Sequence, residues 1–373
     1  MRVLYFSNDY TPHDYRFLAR LARSSCDVWF LRLESNPEPP ETRPLPDGIK
    51  TVEWADCGQR WYGKWGKTGL YRDYKRLLGE IRPDLVHAGP VQTCGFMTAL
   101  TGYRPFLLMS WGSDILVEPY QNGVNRLITK YTIDRADMIV CDCLTVRDKI
   151  TRLASYNPEM ISVFPWGVEL DRFYPRESGA ELRRKLGWEK NRVIISTRSL
   201  EPLYGIDTLL EAANKVIKKR ADVRFLMVGD GSLRPYAQEF ITRHNIGHAV
   251  SLAGRVDNDL LADYLSAADI YVSTAYSDGT SVSLLEAMAC KLPVIVTDIQ
   301  SNREWVQPGV NGWLAPPGDV DVLSQRIIQA VDRENIDGMG EKNLDIVRHR
   351  ANWNDNSNIL LDAYRWLTGR DIK

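Results

Sequence analysis

Short apolar runs alternate along this chain with stretches whose apolar residues recur every three or four positions. In the first half, RVLYFS (2–7), DVWFLRL (27–33), DLVHA (84–88), FLLMSW (106–111), MIVCD (138–142) and ISVFP (161–165) predict strands. YRFLARLARS (15–24) predicts a helix with Phe17, Leu18, Leu21 and Ala22 on one face, and GLYRDYKRLLGEI (69–81) predicts another. The second half restarts the rhythm. RVIIST (192–197), RFLMVGD (224–230), VSLAG (250–254), IYVS (270–273) and PVIVTD (293–298) predict strands. IDTLLEAANKVIKK (206–219), LRPYAQEFITRHN (233–245) and NDLLADYLSAA (258–268) predict helices, the last with Asp257 and Asn258 as caps. A final helical pattern runs from Trp353 to Leu367.

Strands that are apolar throughout and alternate with helices form parallel sheets covered on both faces. The expected class is therefore α/β, with two Rossmann-like domains facing each other across a cleft. FPWGVELDRFYPRESG (164–179), rich in Pro, Gly and charge, reads as the hinge. The expected boundaries are 1–165, 166–345 and a helical segment 346–373 that packs back toward the first domain. Ligands of such sheets bind beyond the carboxyl ends of the strands.

Composition narrows the classes. The 373 residues include 44% hydrophobic and 25% charged, which excludes intrinsic disorder. Lys plus Arg number 47 and Asp plus Glu 48, so nothing points to nucleic acid binding by bulk charge. No run approaches the ~20 apolar residues of a membrane helix. MRVLYFSNDY is broken by Asn8 and Asp9 and does not read as a signal peptide, so a cytoplasmic location is expected. The six cysteines are scattered, and only Cys141 and Cys143 are close, in the apolar run MIVCDC. They read as buried thiols, and no metal is expected there.

The richest chemistry lies in YSDGTSVSLLEAMACKLPVIVTDIQSNREWV (276–306). A strand ends at Ser273, a short loop follows, and a helix begins near Ser281. The N–H groups of Gly279, Thr280 and Ser281 would form a positive helix terminus suited to phosphate. Thr280, Ser281 and Ser283 add hydroxyls. Asp278 and Glu286 bracket this site, and acceptor-only groups at that spacing can grip hydroxyls on either side of a diphosphate. Asp278 as a cap and Glu286 as a solvated side chain are the plainer alternatives, but an unpaired carboxylate inside LLEAMA is costly.

This segment resembles the signature of retaining glycosyltransferases of the GT-B fold, the family 4 type. Asp278 stands where that family's Glu-x7-Glu has its first Glu, Glu286 matches the second, and LEAMA, PVIVTD and NGWLAPPGD (311–319) follow the family pattern, with Lys291 where Gly is usual. STRSLEPLYGIDTLLEAA (196–213) resembles the family's diphosphate-binding segment. Arg198 falls on its Arg, while Tyr204 occupies the place of the partner Lys. FLMVGDGSLR (225–234), with Gly229, matches the family's glycine turn. LAGRVDNDLLADYLSAADIYVS (252–273) matches the segment whose backbone near Gly254, Arg255 and Val256 reads the base. Residues 190–330 match well. RPDLVHA (82–88), RADMIV (135–140) and PWGVELDRF (165–173) extend the likeness.

The resemblance implies transfer of a sugar, of hexosyl or N-acetylhexosaminyl type, from a nucleoside diphosphate sugar to a hydroxyl acceptor with retention. Uridine, as a UDP-sugar, is expected from family frequency, and the settings are polysaccharide, glycolipid or glycoside synthesis. It implies Asp278 on the donor sugar, Glu286 on the ribose, and Arg198 with the 279–281 amides on the diphosphate. Lys291 or Arg303 could supply the missing Lys charge. No cofactor is implied beyond the nucleotide sugar as co-substrate. The D-x-D at Asp257–Asp259 reads as a helix cap rather than a metal site. The loops SNDYTPHDYRFL (7–18) and Ser110–Asp114 depart from the family and are expected to hold the acceptor, through Asn8, Asp9, Tyr10, His13, Asp14, Trp111 and Asp114. RWYGKWGKTGLYRDYKR (60–76) joins cations to aromatics, which suits an anionic lipid surface or lipid-linked acceptor, or simply a loop and a solvated helix face. A nucleotide-sugar epimerase and a non-catalytic nucleotide-sugar-binding protein are the rival readings.

Overall fold

The computed structural model describes residues 1–34, 39–55, 66–333 and 336–372, without the side chains of 66–68. Much of the basic and aromatic stretch 60–76 therefore lies outside the described residues. The chain divides into two units, Met1–Phe164 with Ser357–Lys373, and Pro165–Asn356. The terminal segment that leaves the second unit is thus shorter than 346–373.

The first unit holds β1 (Arg2–Ser7), β2 (Asp27–Arg32), β3 (Lys50–Val52), β4 (Leu85–Ala88), β5 (Phe106–Met109), β6 (Met138–Cys141) and β7 (Ile161–Val163). They form one parallel sheet in the order β3-β2-β1-β4-β5-β6-β7. Its helices are α1 (Pro12–Ala22), α2 (Gly66–Ile81), α3 (Phe96–Thr101), α4 (Ser113–Leu116), α5 (Gly123–Ile133) and α6 (Leu144–Ala154). Leu4, Tyr5, Phe6, Leu85 and Val86 are fully buried, as two-sided coverage of a parallel sheet requires.

The second unit holds β8 (Arg192–Ser196), β9 (Val223–Val228), β10 (Val250–Gly254), β11 (Ile270–Ser273), β12 (Val294–Thr297) and β13 (Gly312–Ala315), parallel in the order β10-β9-β8-β11-β12-β13. Its helices are α7 (Ser178–Leu186), α8 (Ile206–Lys219), α9 (Arg234–Arg243), α10 (Asn258–Ser266), α11 (Val282–Ala289), α12 (Gln300–Arg303), α13 (Val320–Val331) and α14 (Asp337–Arg350). The last helix, α15 (Trp353–Thr368), carries the boundary between the units inside it.

Both sheets reverse their strand order, at β1/β4 in the first unit and at β8/β11 in the second. Successive loops leave in opposite directions there and open a crevice at the carboxyl edge. Several strands end earlier than their apolar runs predict: 110–111, 164–165, 197, 229–230 and 298 all lie past the last paired residue. These residues build the carboxyl-edge loops. Asp257 occupies the N-cap position of α10 but makes no side-chain capping bond; Asp259 instead pairs with Arg172 at 2.9 Å.

His87 of β4 is fully buried in the first unit. Its Nδ1 lies 2.6 Å from the Tyr364 hydroxyl of α15, its Nε2 3.3 Å from Met109 Sδ, and Tyr5 packs edge-on at 4.8 Å. Burial drives the imidazole pKa down to about 3, so the folded unit holds it neutral. The unfolded chain protonates it near 6.5. His87 stability is therefore complete above that value and is lost as pH falls toward 3. At one and a half units below 6.5 the loss is about 2 kcal/mol. Denaturant titrations at neutral and mildly acidic pH should show His87→Gln losing about 2 kcal/mol less than the parent on acidification. Equal losses would remove His87 from the acid response.

Candidate functional site

The second unit's crevice is built where the loops after β8 and β11 meet. Arg198 follows β8, and its loop closes in one 3-10 turn, Pro202–Tyr204. Gly205 ends that turn at φ +60°, and a Cβ there would stand 2.3 Å from the Thr274 carbonyl oxygen. Only glycine permits both the conformation and the approach. Thr274 Oγ1 donates to the Tyr204 carbonyl at 2.8 Å and Tyr276 N–H to the Leu203 carbonyl at 2.9 Å, locking the two loops together. On the other side, a Cβ on Gly229 would meet the Arg198 carbonyl oxygen at 2.7 Å.

The Arg198 side chain is only 10% exposed. Its Nη1 donates to Ser281 Oγ at 2.8 Å and to Ser283 Oγ at 3.0 Å, and its Nη2 lies 2.9 Å from Asp278 Oδ2. The Tyr204 ring covers the guanidinium at 3.9 Å. Tyr271 supports Ser283 through its hydroxyl at 2.9 Å. Burial works against the charge, but Asp278, Tyr204, Tyr271 and Glu286 outweigh it and raise the Arg198 pKa above its ordinary value. The Asp278 contact is close but poorly aligned, so Asp278 Oδ2 makes no hydrogen bond, and Arg198 Nε is buried without a partner. Both atoms retain capacity for a ligand.

Ser281 caps α11, accepting from Leu284 N–H at 3.4 Å. Ser301 Oγ donates to the Asp278 carbonyl at 2.8 Å and Thr297 Oγ1 to the Ala275 carbonyl at 2.6 Å, which fixes the loop entering the helix. Gly279, Thr280 and Ser281 are buried at that terminus. Glu286 is half-buried, one turn from Ser283 on the helix face that meets Arg198. The structure thus gathers Arg198, Tyr204, Asp278, Gly279, Thr280, Ser281 and Glu286 at one helix N-terminus.

Other expected donor residues fall differently. Lys291 lies past the C-terminus of α11, at φ +61°, and its Nζ is paired with Glu341 at 2.7 Å. The length of α11 separates it from the phosphate-type terminus, so it does not replace the missing Lys. Arg303 is exposed and paired with Asp298, Nη2 to Oδ2 at 2.8 Å. Gly254 ends β10 at φ +74° and accepts from Gly229 N–H at 2.8 Å; Arg255 is exposed and Val256 half-buried beside it. Arg234 was not singled out by sequence reasoning. Its Nη1 is buried without a hydrogen bond and lies 3.4 Å from where a Gly254 Cβ would be. The signal was a cation closing the glycine turn FLMVGDGSLR (225–234).

In the first unit, the acceptor candidates separate into two groups. Asp14 is fully buried and closes the α1 capping box with Thr11, while the Tyr5 hydroxyl donates to it at 3.0 Å. Burial raises its pKa to about 6 against bonds from Thr11, Ser7 and Tyr5. Asp114 is also buried. It accepts from Ser110 Oγ at 2.7 Å and from the N–H groups of Val91 and Trp111 at 3.1 Å, and burial still raises its pKa. Tyr10 is buried, with its hydroxyl on the Pro44 carbonyl at 3.2 Å. Asp9 is committed to Tyr10 N–H at 2.7 Å, and Asn8 Oδ1 accepts from Thr93 at 2.6 Å. Asp14, Asp114 and Tyr10 therefore shape the loops and do not face a ligand, contrary to expectation. His13 and Trp111 remain half-buried, with ring centroids 5.7 Å apart.

A family model described as Glycosyl transferases group 1 matches residues 179–353, and one described as Glycosyl transferase 4-like matches residues 2–143. The chain is 30% identical over 176 residues to the phosphatidylinositol N-acetylglucosaminyltransferase GPI3 subunit of Saccharomyces cerevisiae, across 47% of this chain and 38% of that protein. It is 30% identical over 266 residues to Bacillus subtilis TuaC, named as a glycosyltransferase of teichuronic acid biosynthesis, across 70% of this chain and 62% of that one. The chain thus spans less than two thirds of these relatives' own lengths, 38% of the first and 62% of the second. Anabaena HepE, solved with UDP-glucose, superposes with a TM-score of 0.80 at 18% identity over 99% of this chain and 100% of its own. That likeness shows the GT-B fold.

A cation–π contact at a desolvated guanidinium is worth about 1–2 kcal/mol. A double-mutant cycle of Tyr204→Leu and Arg198→Met, read by denaturant unfolding, should give a coupling of about 1 kcal/mol, with Tyr204→Phe close to the parent. Additive effects would show that the ring does not hold the cation.

Proposed function

The chain belongs to the glycosyl transferases group 1 family, and from that premise we propose that it moves a sugar from a nucleoside diphosphate to a hydroxyl group of an acceptor. The observation that carries this reading is Arg198 held at the N-terminus of α11 with its Nε unspent, beside an Asp278 oxygen that pairs with its charge but makes no hydrogen bond. A cation and a helix terminus in one place suit a leaving diphosphate. UDP is the favoured nucleotide, supported by the UDP-glucose that HepE binds on the same fold. The base would lie against the backbone at Gly254 to Val256.

In this mechanism the acceptor oxygen forms its bond to the anomeric carbon on the face from which the diphosphate leaves. The bond between that carbon and the phosphate oxygen breaks, and the acceptor proton passes to the departing diphosphate. The configuration is retained and no side-chain base is needed. Arg198 and the 279–281 amides stabilise the charge that develops on the phosphate. Glu286 holds ribose hydroxyls, and Asp278 orients the sugar. Asp278 is one methylene shorter than Glu and is drawn toward Arg198 at 2.9 Å, so it would reach the sugar from the diphosphate side. No metal is invoked. His13 and Trp111 offer a stacking wall for a sugar-like acceptor. The yeast relative's name supports a lipid-linked acceptor and the Bacillus relative's a growing polymer.

Two experiments test this. A thermal-shift screen against UDP-, GDP-, ADP- and dTDP-sugars, with and without EDTA, should show stabilisation by UDP-sugars that EDTA leaves intact. A ligand at a hundredfold excess over its Kd adds about 2.7 kcal/mol. Stabilisation by another base would replace UDP, and none by any would leave a degenerate scaffold. In turnover assays, Asp278→Asn and Glu286→Gln should each lower activity about a hundredfold while leaving the melting point within a few degrees. Parent-like turnover would remove these roles. Conversion of the donor to an isomer without acceptor would make the protein an epimerase.

A further inference from the structure

Among the described residues of the first unit, the large apolar side chains left well exposed are Leu100, Tyr120, Val124, Leu127, Leu144 and Trp366. All but Trp366 lie on one helical layer, formed by α3, the 3-10 turn Glu118–Tyr120, α5 and α6. Tyr120, Val124 and Leu127 follow one another at four and three positions and are 51%, 65% and 70% exposed. Val124 and Leu127 share one outward face of α5, and Tyr120 lies in the 3-10 turn that packs against this helix, so the three form an outward ridge. The inner face of α5 is already used: Thr129, Thr132 and Ile133 are fully buried. The ridge is therefore a second apolar face, one that the core does not need.

The charge around this ridge is lopsided. Arg126, between Val124 and Leu127 in the chain, and Lys149 have no carboxylate partner among the described residues, whereas Lys130 and Arg147 are paired with Asp134 and Asp148. Lys149 Nζ sits 5.3 Å from the Tyr120 ring. Glu118, in the same 3-10 turn as Tyr120, is half-buried. A chain of formal charge −1 thus concentrates free cations beside its exposed apolar ridge. We propose that this face docks on a bilayer carrying anionic lipid. Tyr120, Val124 and Leu127 would enter the boundary between headgroups and acyl chains, and the free cations would meet lipid phosphates. A second copy of the chain fits less well, because a two-fold contact sets the same cations against each other. The proposal does not rest on the donor chemistry of the second unit.

Vesicle flotation of the full chain tests it. The parent should float with vesicles of equal parts phosphatidylglycerol and phosphatidylcholine, float little with phosphatidylcholine alone, and be released by added salt. Val124→Asp with Leu127→Asp should lower the partition coefficient about tenfold or more. Arg126→Glu with Lys149→Glu should lower it on anionic vesicles by about tenfold and remove most of the salt dependence. Val124, Arg126 and Leu127 are exposed and Lys149 is half-buried, and Leu260→Asp, at a 50% exposed position of the second unit, serves as the control that floats like the parent. A parent that stays in solution with both vesicles overturns the proposal, as does parent-like flotation of the Val124→Asp, Leu127→Asp variant. A dimer by light scattering that this variant converts to monomer would assign the face to a second copy and equally overturn it.

Discussion

A guanidinium that is nine-tenths buried stays charged only if its surroundings replace the water it has lost. At Arg198 that replacement comes from five side chains on three stretches of the second unit. Asp278 supplies the countercharge, Ser281 and Ser283 the hydroxyl acceptors, and Tyr204 and Glu286 the negative field on the remaining sides. The demand propagates outward. Tyr204 can lie over the cation only because Gly205 turns the chain sharply against Thr274. Ser283 is held in turn by Tyr271, from the buried strand β11. The loop geometry around β8 and β11 is thus the packing solution to one electrostatic problem.

The position of that problem follows from topology. In a parallel sheet the strand order must reverse somewhere, and the loops on either side of the reversal diverge. Arg198 leaves one of the two diverging strands, and Asp278 leaves the other. The first unit repeats the plan at β1/β4, where the loop after β1 meets Thr93 through Asn8. There, however, the carboxylates are spent inside the protein. Asp14 and Asp114 satisfy backbone and hydroxyl donors, and aromatic rings are what reach the surface. One unit presents charge at its crevice and the other presents rings.

Periodicity made most of both sheets legible, because all strands but β3 and β13 are built on the short apolar runs that predict them, and α8 matches its predicted span of 206–219. The strand ends were overextended, since an apolar Trp111 or Phe164 reads the same in a strand as in the loop that follows it. α5 escaped notice for the opposite reason: its exposed Val124 and Leu127 blur the contrast between faces on which helix prediction depends. At the site, Arg198, Asp278 and Glu286 were visible through the motif. The role of Tyr204 was not, because a sequence records that a Lys is absent without recording that a ring has taken over its neighbour. Lys291 misled for a similar reason. It is close in sequence to Glu286, but a helix carries it away from the terminus that matters.

The first unit is completed by α15, whose Tyr364 closes over His87 and Tyr5 at the centre of its sheet. All 192 residues from Pro165 to Asn356 come between those partners in the chain. A ribosome making this protein therefore finishes the second unit first. Until α15 emerges, the first sheet must wait with an apolar flank uncovered. The order of synthesis and the order of assembly are different here, and the earliest residues made are among the last to be sealed.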